Sequence, residues 1–431
     1  MERIGAVTAN FRCDPEDVEF AAFRGNRMTK KWFAIISAAV LFGLLGCQPK
    51  SEGGAGNAST GGGDILVGEY GSLSGPQATF GQSTHNGIMM AVDEVNGAGG
   101  VNGRKIKVLT EDDQSKQEEA ANAVTKLISQ NGVLAVLGEV ASSASMAAAP
   151  ICQSNKVPMI TPSSTNDDVT KKGDYIFRVC FVDSYQGENM AKYVAQQLKV
   201  KRAAILTDVK SDYSTGLTSV IERTFTSLGG QIVGKQSYAN GDSDFRSQLT
   251  AVKGANPQVI FIPGYYTDIG QIAIQARDLG MTMPLVGGDG WESPKLIEIG
   301  GKALEGCYYS NHYFYGDPSP VVRNFVQRYK DRYGATPDAL AALGYDAMKV
   351  LGDAMKRAKK LDGPSLRDAI AATKNFAGVT GAITIGPDRN AMGKKLVIEE
   401  IRNGQLVLKA TVEPTATAGT TAAAPTGTAA Q

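Results

Sequence analysis

Short apolar segments alternate with segments whose apolar residues recur at helical spacing. In the first half of the chain the predicted strands are 65–68, 105–109, 133–137 and 157–160, and the predicted helices between them are 84–96, 115–130 and 143–154. Strands that are apolar throughout and separated by helices are typical of a parallel sheet covered on both faces. This half therefore predicts one α/β lobe.

The same alternation then begins again, without an obvious sequence repeat. The second set of predicted strands is 203–206, 231–238, 259–262 and 284–287, and the predicted helices are 184–198, 214–228, 245–253 and 269–279. Three more helices are predicted at 318–333, 337–358 and 364–373, and two strands follow at 381–385 and 395–401. This order predicts two Rossmann-like lobes with parallel-sheet cores, and a chain that passes between them more than once.

The late return of the chain sets the expected boundaries. We predict a first lobe from 64–181 and 315–377, and a second lobe from 183–311 and 380–412. The three hinge crossovers are then expected near 179–183, 311–316 and 376–381. Ligands of such sheets bind beyond the carboxyl ends of the strands, so the loops at those ends are the candidate site.

The two ends of the chain carry other signals. Residues 28–46 have a basic start and an apolar run that is shorter than the roughly 20 residues of a spanning helix, which favours a signal peptide. The run ends in LLGC at 44–47, which resembles a bacterial lipobox and predicts lipidation of Cys47. An uncleaved anchor and a plain signal peptide are the alternatives.

Three further segments are expected to lie outside the fold. Residues 1–27 precede a complete signal and are expected to be a gene-start artefact, with translation starting at Met28. Residues 47–63 are rich in Gly and Ser and predict a flexible tether. Residues 414–431 consist mainly of Thr, Ala, Pro and Gly and predict a disordered tail.

Composition narrows the possible functions. Lys and Arg number 44 and Asp and Glu 43, so the charge gives no reason to expect a nucleic-acid partner. The two histidines, His85 and His312, are far apart in sequence, which argues against a histidine metal site or catalytic triad. We expect no metal and no cofactor. Three cysteines fall within the predicted fold, so one would stay unpaired in any disulfide, and buried free thiols are the alternative.

The loops after the predicted strands contain groups suited to the two ends of a zwitterion. In the first lobe, Ser142 and Ser143 precede a helix, where hydroxyls and free N–H groups can bind a carboxylate or simply cap the helix. In the second lobe, Tyr265 follows one strand, and Asp289 lies between two glycines after the next. Asp289 could receive an ammonium group, although a turn residue is an equal interpretation.

These loops, taken in order, resemble the bacterial leucine/isoleucine/valine-binding protein family, which are solute-binding components of ABC-type amino-acid importers. The matching stretches are 71–76 (GSLSGP), 91–96 (AVDEVN), 99–103 (GGVNG), 142–143 (SS), 163–166 (SSTN), 212–213 (DY), 264–266 (GYY) and 288–290 (GDG). The resemblance covers about 64–412 and implies the type I periplasmic-binding fold.

The resemblance also implies roles for individual residues. Ser142 and the Thr165 N–H would bind the ligand carboxylate, while the Ser163 carbonyl, the Thr165 hydroxyl and Asp289 would bind its ammonium group. The remaining candidates for ligand contacts are Ser143, Ser164, Tyr213, Tyr265 and Phe80. Asp289 is shorter than the Glu of well-known members, and Phe80 stands where a Tyr or Trp is common, so these two departures leave the reach of the site and the size of its ligand open. Members of the family also bind amides, other amino acids and aromatic acids, and an aliphatic amino acid is the first expectation.

The expected mechanism is hinge closure followed by delivery to a membrane permease. The protein is expected to be a monomer outside the cytoplasm, in the periplasm or on the outer face of the cytoplasmic membrane, held there through Cys47. A sensory binding protein that feeds a receptor would use the same fold. An exported enzyme is the other alternative, but the chain contains no G-x-S-x-G, H-E-x-x-H or Walker A motif.

Overall fold

The structure, a computed structural model, describes residues 63–414. The predictions for 1–27, for the signal at 28–46 and for Cys47 lie outside the described residues, as do nearly all of the tether and the tail. Among residues 63–414, no helix is both long and apolar enough to cross a membrane.

The first lobe is built on a five-stranded parallel sheet in the order β2-β1-β3-β4-β5. Its elements are β1 (Ile65–Gly71), α1 (Ala78–Gly97), β2 (Ile106–Asp112), α2 (Gln117–Ser129), β3 (Ala135–Leu137), α3 (Ser142–Ser154), β4 (Met159–Thr161) and β5 (Ile176–Arg178). Helices cover both faces, since α2 and α3 pack on one side and α1 on the other.

The second lobe repeats this strand order within a larger sheet. Its elements are α4 (Asp183–Lys192), β6 (Arg202–Asp208), α5 (Asp212–Ser227), β7 (Gln231–Tyr238), α6 (Arg246–Gly254), β8 (Val259–Phe261), α7 (Tyr266–Asp278), β9 (Leu285–Gly287), α8 (Pro294–Gly300) and β10 (Tyr308–Asn311). The five parallel strands follow the order β7-β6-β8-β9-β10, which matches that of the first sheet. The predicted duplication of layout is therefore visible in the topology.

After β10 the chain returns to the first lobe and then leaves it again. The remaining elements are α9 (Pro320–Tyr333), α10 (Ala339–Arg357), α11 (Gly363–Ala371), β11 (Phe376–Gly378), β12 (Gly381–Ile385), β13 (Ala391–Met392), β14 (Leu396–Arg402) and β15 (Gln405–Val412). Strands β14 and β15 add an antiparallel edge to the second sheet, which makes it seven-stranded and mixed.

The structure corrects the position of the third crossover. Strands β11, β12 and β13 form a small antiparallel sheet of their own, and Ile383 and Ile385 are buried in the same core as the strands of the first lobe. The chain enters the second sheet only at Leu396. The crossover therefore lies after Met392 rather than at 376–381, and the first part of the predicted segment 380–412 belongs with the first lobe.

Two glycines allow α1 and α10 to approach closely. A Cβ on Gly87 would lie 2.0 Å from the carbonyl oxygen of Ala341, and one on Gly344 would lie 2.5 Å from that of Thr84. Since real atoms do not approach so closely, glycine is required at both positions. This packing fixes the start of α1, which carries Phe80, against the returning helices of the first lobe.

Candidate functional site

The carboxyl ends of the two sheets face each other, and loops from both lobes are in contact. Ser143 in the first lobe bonds reciprocally to Asp212 in the second, with Oγ 2.7 Å from Oδ2 and 3.0 Å from the backbone nitrogen. The Asn166 side-chain nitrogen donates to the Asp212 carbonyl at 2.7 Å. Tyr266 donates its hydroxyl to the Pro76 carbonyl at 2.8 Å. The structure therefore shows the lobes closed on each other.

An aromatic cluster fills part of this interface. Phe80 packs edge-on against Tyr265 and Tyr266, with ring centroids 5.6 and 5.1 Å apart. Tyr265 stacks on Tyr213 at 5.3 Å with nearly parallel rings. Gly290 makes room for this stack, because its Cβ would lie 2.9 Å from the Tyr213 ring and 3.0 Å from the Tyr265 ring. Phe80, Tyr213 and Tyr265 are thus brought together as apolar walls, with polar tips on the tyrosines.

Two buried carboxylates lie beside the aromatic cluster. Asp289 accepts a hydrogen bond on Oδ2 from His312 Nε2 at 2.9 Å, and its Oδ1 has no partner among the described residues. Asp183 accepts from Gln186 Nε2 on Oδ1 at 3.0 Å, and its Oδ2 is likewise without a partner in the part of the chain described. Burial raises the pKa of Asp183, and the charge of Asp289 raises it further.

Gln186 links the Asp183 carboxylate to the backbone of Asp289. Its side-chain oxygen accepts from the Asp289 backbone N–H at 2.8 Å and from the Ser310 hydroxyl at 2.8 Å, while its nitrogen donates to Asp183. Because the oxygen accepts two hydrogen bonds and the nitrogen donates one, the side chain is held in one orientation. The arrangement fixes the two free carboxylate oxygens relative to each other and leaves them available to a hydrogen-bond donor.

The first lobe contributes hydroxyl groups opposite the carboxylates. Ser142 is buried at the start of α3, and its Oγ accepts from the Asn166 N–H at 3.2 Å. Ser163 is buried, and its hydroxyl has no partner among residues 63–414. The Thr165 carbonyl accepts from the Asp183 N–H at 2.8 Å, which brings this loop against the carboxylate pair.

Two of the predicted site residues use their hydroxyls elsewhere. The Ser164 hydroxyl donates to the carbonyls of Glu139 and Val140, so it supports the loop from behind. The Ser143 hydroxyl is engaged by Asp212 across the interface, as described above. The structure therefore places these two serines in roles of loop support and lobe contact.

A cleft of about 560 Å³ leads to this region from the surface. The residues that line it come from both lobes and include Ser72, Gln77, Ala141, Ser143, Asp208, Ser211, Asn240 and Tyr265. Tyr265 belongs both to this cleft and to the aromatic cluster. The cleft therefore adjoins the aromatic cluster at Tyr265.

Sequence reasoning missed Asp183, Gln186 and His312. All three lie on or directly after the segments that cross between the lobes, whose meeting point no local pattern reveals. His312 is fully buried at the site, whereas His85 lies on α1 and its Nδ1 is 2.7 Å from Glu69 Oε2.

In the described range, no group of three or more His, Cys, Asp or Glu side chains is placed to hold a metal ion. The three cysteines within that range, Cys152, Cys180 and Cys307, are buried free thiols. Burial raises the pKa of Cys152 well above its usual value and that of Cys180 to about 12, so neither is a reactive thiolate.

Comparison with known proteins assigns the family. A family model described as periplasmic binding protein matches residues 64–405. The chain belongs to this periplasmic binding protein family. The match covers both lobes and every site residue described above.

Individual relatives agree with this assignment. The chain is 29% identical over 356 residues to the Leu/Ile/Val-binding protein BraC3 of Rhizobium johnstonii. The alignment covers 80% of this chain and 93% of that protein. The chain is 30% identical over 346 residues, with the same coverage, to Leu/Ile/Val-binding protein homolog 3 of Brucella melitensis.

Solved structures share the fold. The leucine-binding protein LivK of Thermotoga maritima is 40% identical and superposes with a TM-score of 0.78, covering 81% of this chain and 99% of that chain. The branched-chain amino-acid transporter substrate-binding protein LivJ of Streptococcus pneumoniae, in complex with isoleucine, is 34% identical with a TM-score of 0.77, covering 81% and 100%. The predicted family and the type I periplasmic-binding fold are both confirmed.

Proposed function

We propose that this protein captures a small aliphatic amino acid, most readily a branched-chain one, between its two lobes and delivers it to an ABC-type permease. Relatives support the ligand class: one Pseudomonas aeruginosa protein, 28% identical over 74% of this chain, is named for binding leucine, isoleucine, valine, threonine and alanine. The structure of this chain supports the proposal independently through the chemistry of its interlobe site.

The observation that carries the proposal is a set of buried polar atoms without partners among the described residues. Asp289 Oδ1 and Asp183 Oδ2 are acceptors of this kind, and the Ser163 hydroxyl in the first lobe is a third such group. Leaving a buried polar atom without a hydrogen bond costs about 1–3 kcal/mol, and a charged one costs more. A ligand ammonium group would satisfy the carboxylate oxygens, because it supplies three donors and one positive charge.

The other end of the ligand would lie at the start of α3. This helix is 13 residues long, and Ser142 lies buried at its first position. The free N–H groups at a helix start, together with a hydroxyl, favour a carboxylate. An α-amino acid carries both of the charges that this pair of sites would bind.

The aromatic cluster would receive the aliphatic side chain. Phe80 offers an apolar edge from the first lobe, and Tyr265 offers a ring face from the second. Burying a leucine-sized side chain against such surfaces is worth about 1.5–3 kcal/mol. Phe80 has no hydroxyl, so this wall favours an apolar group over a polar one.

Closure would couple these contacts. The Ser143–Asp212 and Tyr266–Pro76 hydrogen bonds join the lobes directly. A ligand that contacts both lobes would favour the closed form in proportion to the contacts made only in that form. The permease would then recognise the closed form.

The decisive variant is Asp289→Asn, which keeps the shape of the side chain and removes its charge. We expect leucine affinity to fall by about 2–5 kcal/mol, as for truncating one partner of a buried charge pair. Isothermal titration calorimetry with leucine measures this. Asp268→Asn is a matched control, because Asp268 is also a buried Asp of the second lobe but bonds to Asn240.

Unchanged affinity in the Asp289→Asn variant would remove Asp289 from the ammonium site. A thermal-shift screen then tests the ligand class across aliphatic amino acids, amides and aromatic carboxylates. The aromatic class belongs in the screen because one solved neighbour, 26% identical with a TM-score of 0.73, is a solute-binding protein from Rhodopseudomonas palustris in complex with 3,4-dihydroxybenzoic acid. Stabilisation by aromatic carboxylates alone would overturn the proposed ligand.

Attachment to the membrane is a separate part of the proposal. Cys47 would carry a lipid that holds the protein outside the cytoplasm beside its permease. A cell fed a labelled fatty acid should incorporate label into the parent protein and not into a Cys47→Ser variant. Equal labelling of both proteins would contradict lipidation at this position.

A further inference from the structure

His312 occupies a particular place in the closed molecule. It follows β10 directly, at the start of the second crossing between the lobes, and it is fully buried. Its ring stacks on Phe181, which lies in the first crossing, at 3.8 Å and an interplanar angle of 21°. Its Nε2 is 2.9 Å from Asp289 Oδ2.

We propose that His312 is a positioning residue for ammonium recognition: its Nε2–H holds Asp289 Oδ2 so that Oδ1 faces the ligand, and its ring ties that carboxylate to two crossings of the hinge. The inference rests on the proposed function, because it assigns how Asp289 is oriented for the ligand. It concerns a residue that need not touch the ligand itself.

The chemistry of the contact fixes the state of the ring. An ionised carboxylate can only accept, so Nε2 carries the proton. Burial lowers the pKa of His312, and the positive charge of Lys394 lowers it further, while Asp289 raises it. A neutral ring with its proton on Nε2 donates one hydrogen bond to Asp289 Oδ2 and brings no charge of its own to the site.

The backbone of His312 is anchored as well. The backbone N–H of His312 donates to the side-chain oxygen of Asn311 at 2.8 Å. The Asn311 amide nitrogen in turn donates to Glu292 and Glu399, each at 2.9 Å. These bonds and the stack on Phe181 leave the imidazole little freedom, so the position of Asp289 Oδ2 follows the position of the crossings.

A purely structural histidine would stabilise the fold and affect binding only through folding. A positioning histidine instead acts on affinity through Asp289. Two variants separate the effect of the aromatic ring from that of the hydrogen-bond donor. His312→Phe keeps an aromatic ring to stack on Phe181 but has no donor, and His312→Gln loses the ring but keeps an amide donor.

The experiment is calorimetry with leucine on five proteins: the parent, the two His312 variants, Asp289→Asn, and His312→Phe combined with Asp289→Asn. We expect His312→Phe to weaken leucine binding by about tenfold or more, as for losing a charge-assisted hydrogen bond. His312→Gln should restore much of that loss. In the Asp289→Asn background, His312→Phe should have little further effect.

The outcomes separate the positioning role of His312 from the proposed function. If the parent binds leucine and His312→Phe binds it equally well, the positioning role is overturned while the proposed function stands. An equal loss with and without Asp289→Asn would also overturn it, because the effect would not pass through that carboxylate. If the parent binds no amino acid, the proposed function fails, and the positioning role fails with it. Unliganded melting temperatures of the variants show whether each is folded.

Discussion

The Ser143–Asp212 contact is a hydrogen-bonded bridge between the lobes, and removing it should weaken ligand binding without changing the ligand's own contacts. The Ser143 hydroxyl donates to Asp212 Oδ2 at 2.7 Å and accepts from the Asp212 N–H at 3.0 Å. The change Ser143→Ala removes both bonds. Because the two residues lie in different lobes, the bonds stabilise only the closed form.

The expected size follows from the two bonds. Each hydrogen bond contributes a net 0.5–1.5 kcal/mol on average, so two would give about 1–3 kcal/mol. Asp212 is exposed, so solvent screening reduces this to about 1–2 kcal/mol, which corresponds to a roughly 5- to 30-fold higher Kd.

Calorimetry measures the dissociation constant, and stopped-flow experiments measure the association and dissociation rates separately. The dissociation rate should rise and the association rate should change little, because the bonds form after the ligand has entered. Ser154→Ala is the control, since Ser154 lies at the other end of α3 and bonds only locally. Unchanged affinity would refute the bridge. A further loss when Asp212→Ala is added to Ser143→Ala would also contradict it.

Three other predictions concern stability and closure. Burial raises the pKa of Glu399 to about 7, above its usual value of 4.5. Between these two pH values the folded state binds more protons than the unfolded state. The free energy of unfolding should therefore fall as pH rises through about 5 to 8. Glu399→Gln should flatten that fall in urea unfolding at several pH values, and parallel curves would contradict this. Gly290→Ala places a methyl group 3.0 Å from the Tyr265 ring, which packs on Phe80 of the first lobe, so leucine should cause less compaction in small-angle scattering than it does in the parent. Equal compaction would contradict this. Gly87→Ala should lower unfolding free energy by about 1–3 kcal/mol, because its methyl group meets the Ala341 carbonyl; unchanged chemical denaturation would disprove this.

Periodicity predicted most of the fold because most strands are short, apolar and buried on both faces. Periodicity did not predict strand β10, because its sequence YYSN mixes polar and aromatic residues. Ser310 and Asn311 are buried there because each bonds to another buried side chain, Gln186 for one and Glu292 for the other. Such pairings depend on residues far along the chain, so a local pattern cannot reveal them.

The candidate site was also predicted only in part from the sequence. Asp289 was named from sequence because it follows a strand and lies between glycines. Asp183 and His312 lie on crossings, and their proximity to Asp289 exists only once the lobes are assembled. The third crossover was misplaced for a related reason: the apolar residues of β12 are buried against the first lobe, but their alternation is equally typical of a strand in the second sheet.

The central claim is that the interlobe site binds both charged ends of an amino acid. Calorimetry on the unmodified protein tests it most directly, by comparing leucine with 4-methylpentanoate, which lacks the ammonium group, and with isopentylamine, which lacks the carboxylate. We expect leucine to bind and each analogue to bind at least about a hundredfold more weakly, as for leaving a buried charge unpaired. Equal binding of leucine and either analogue would contradict it.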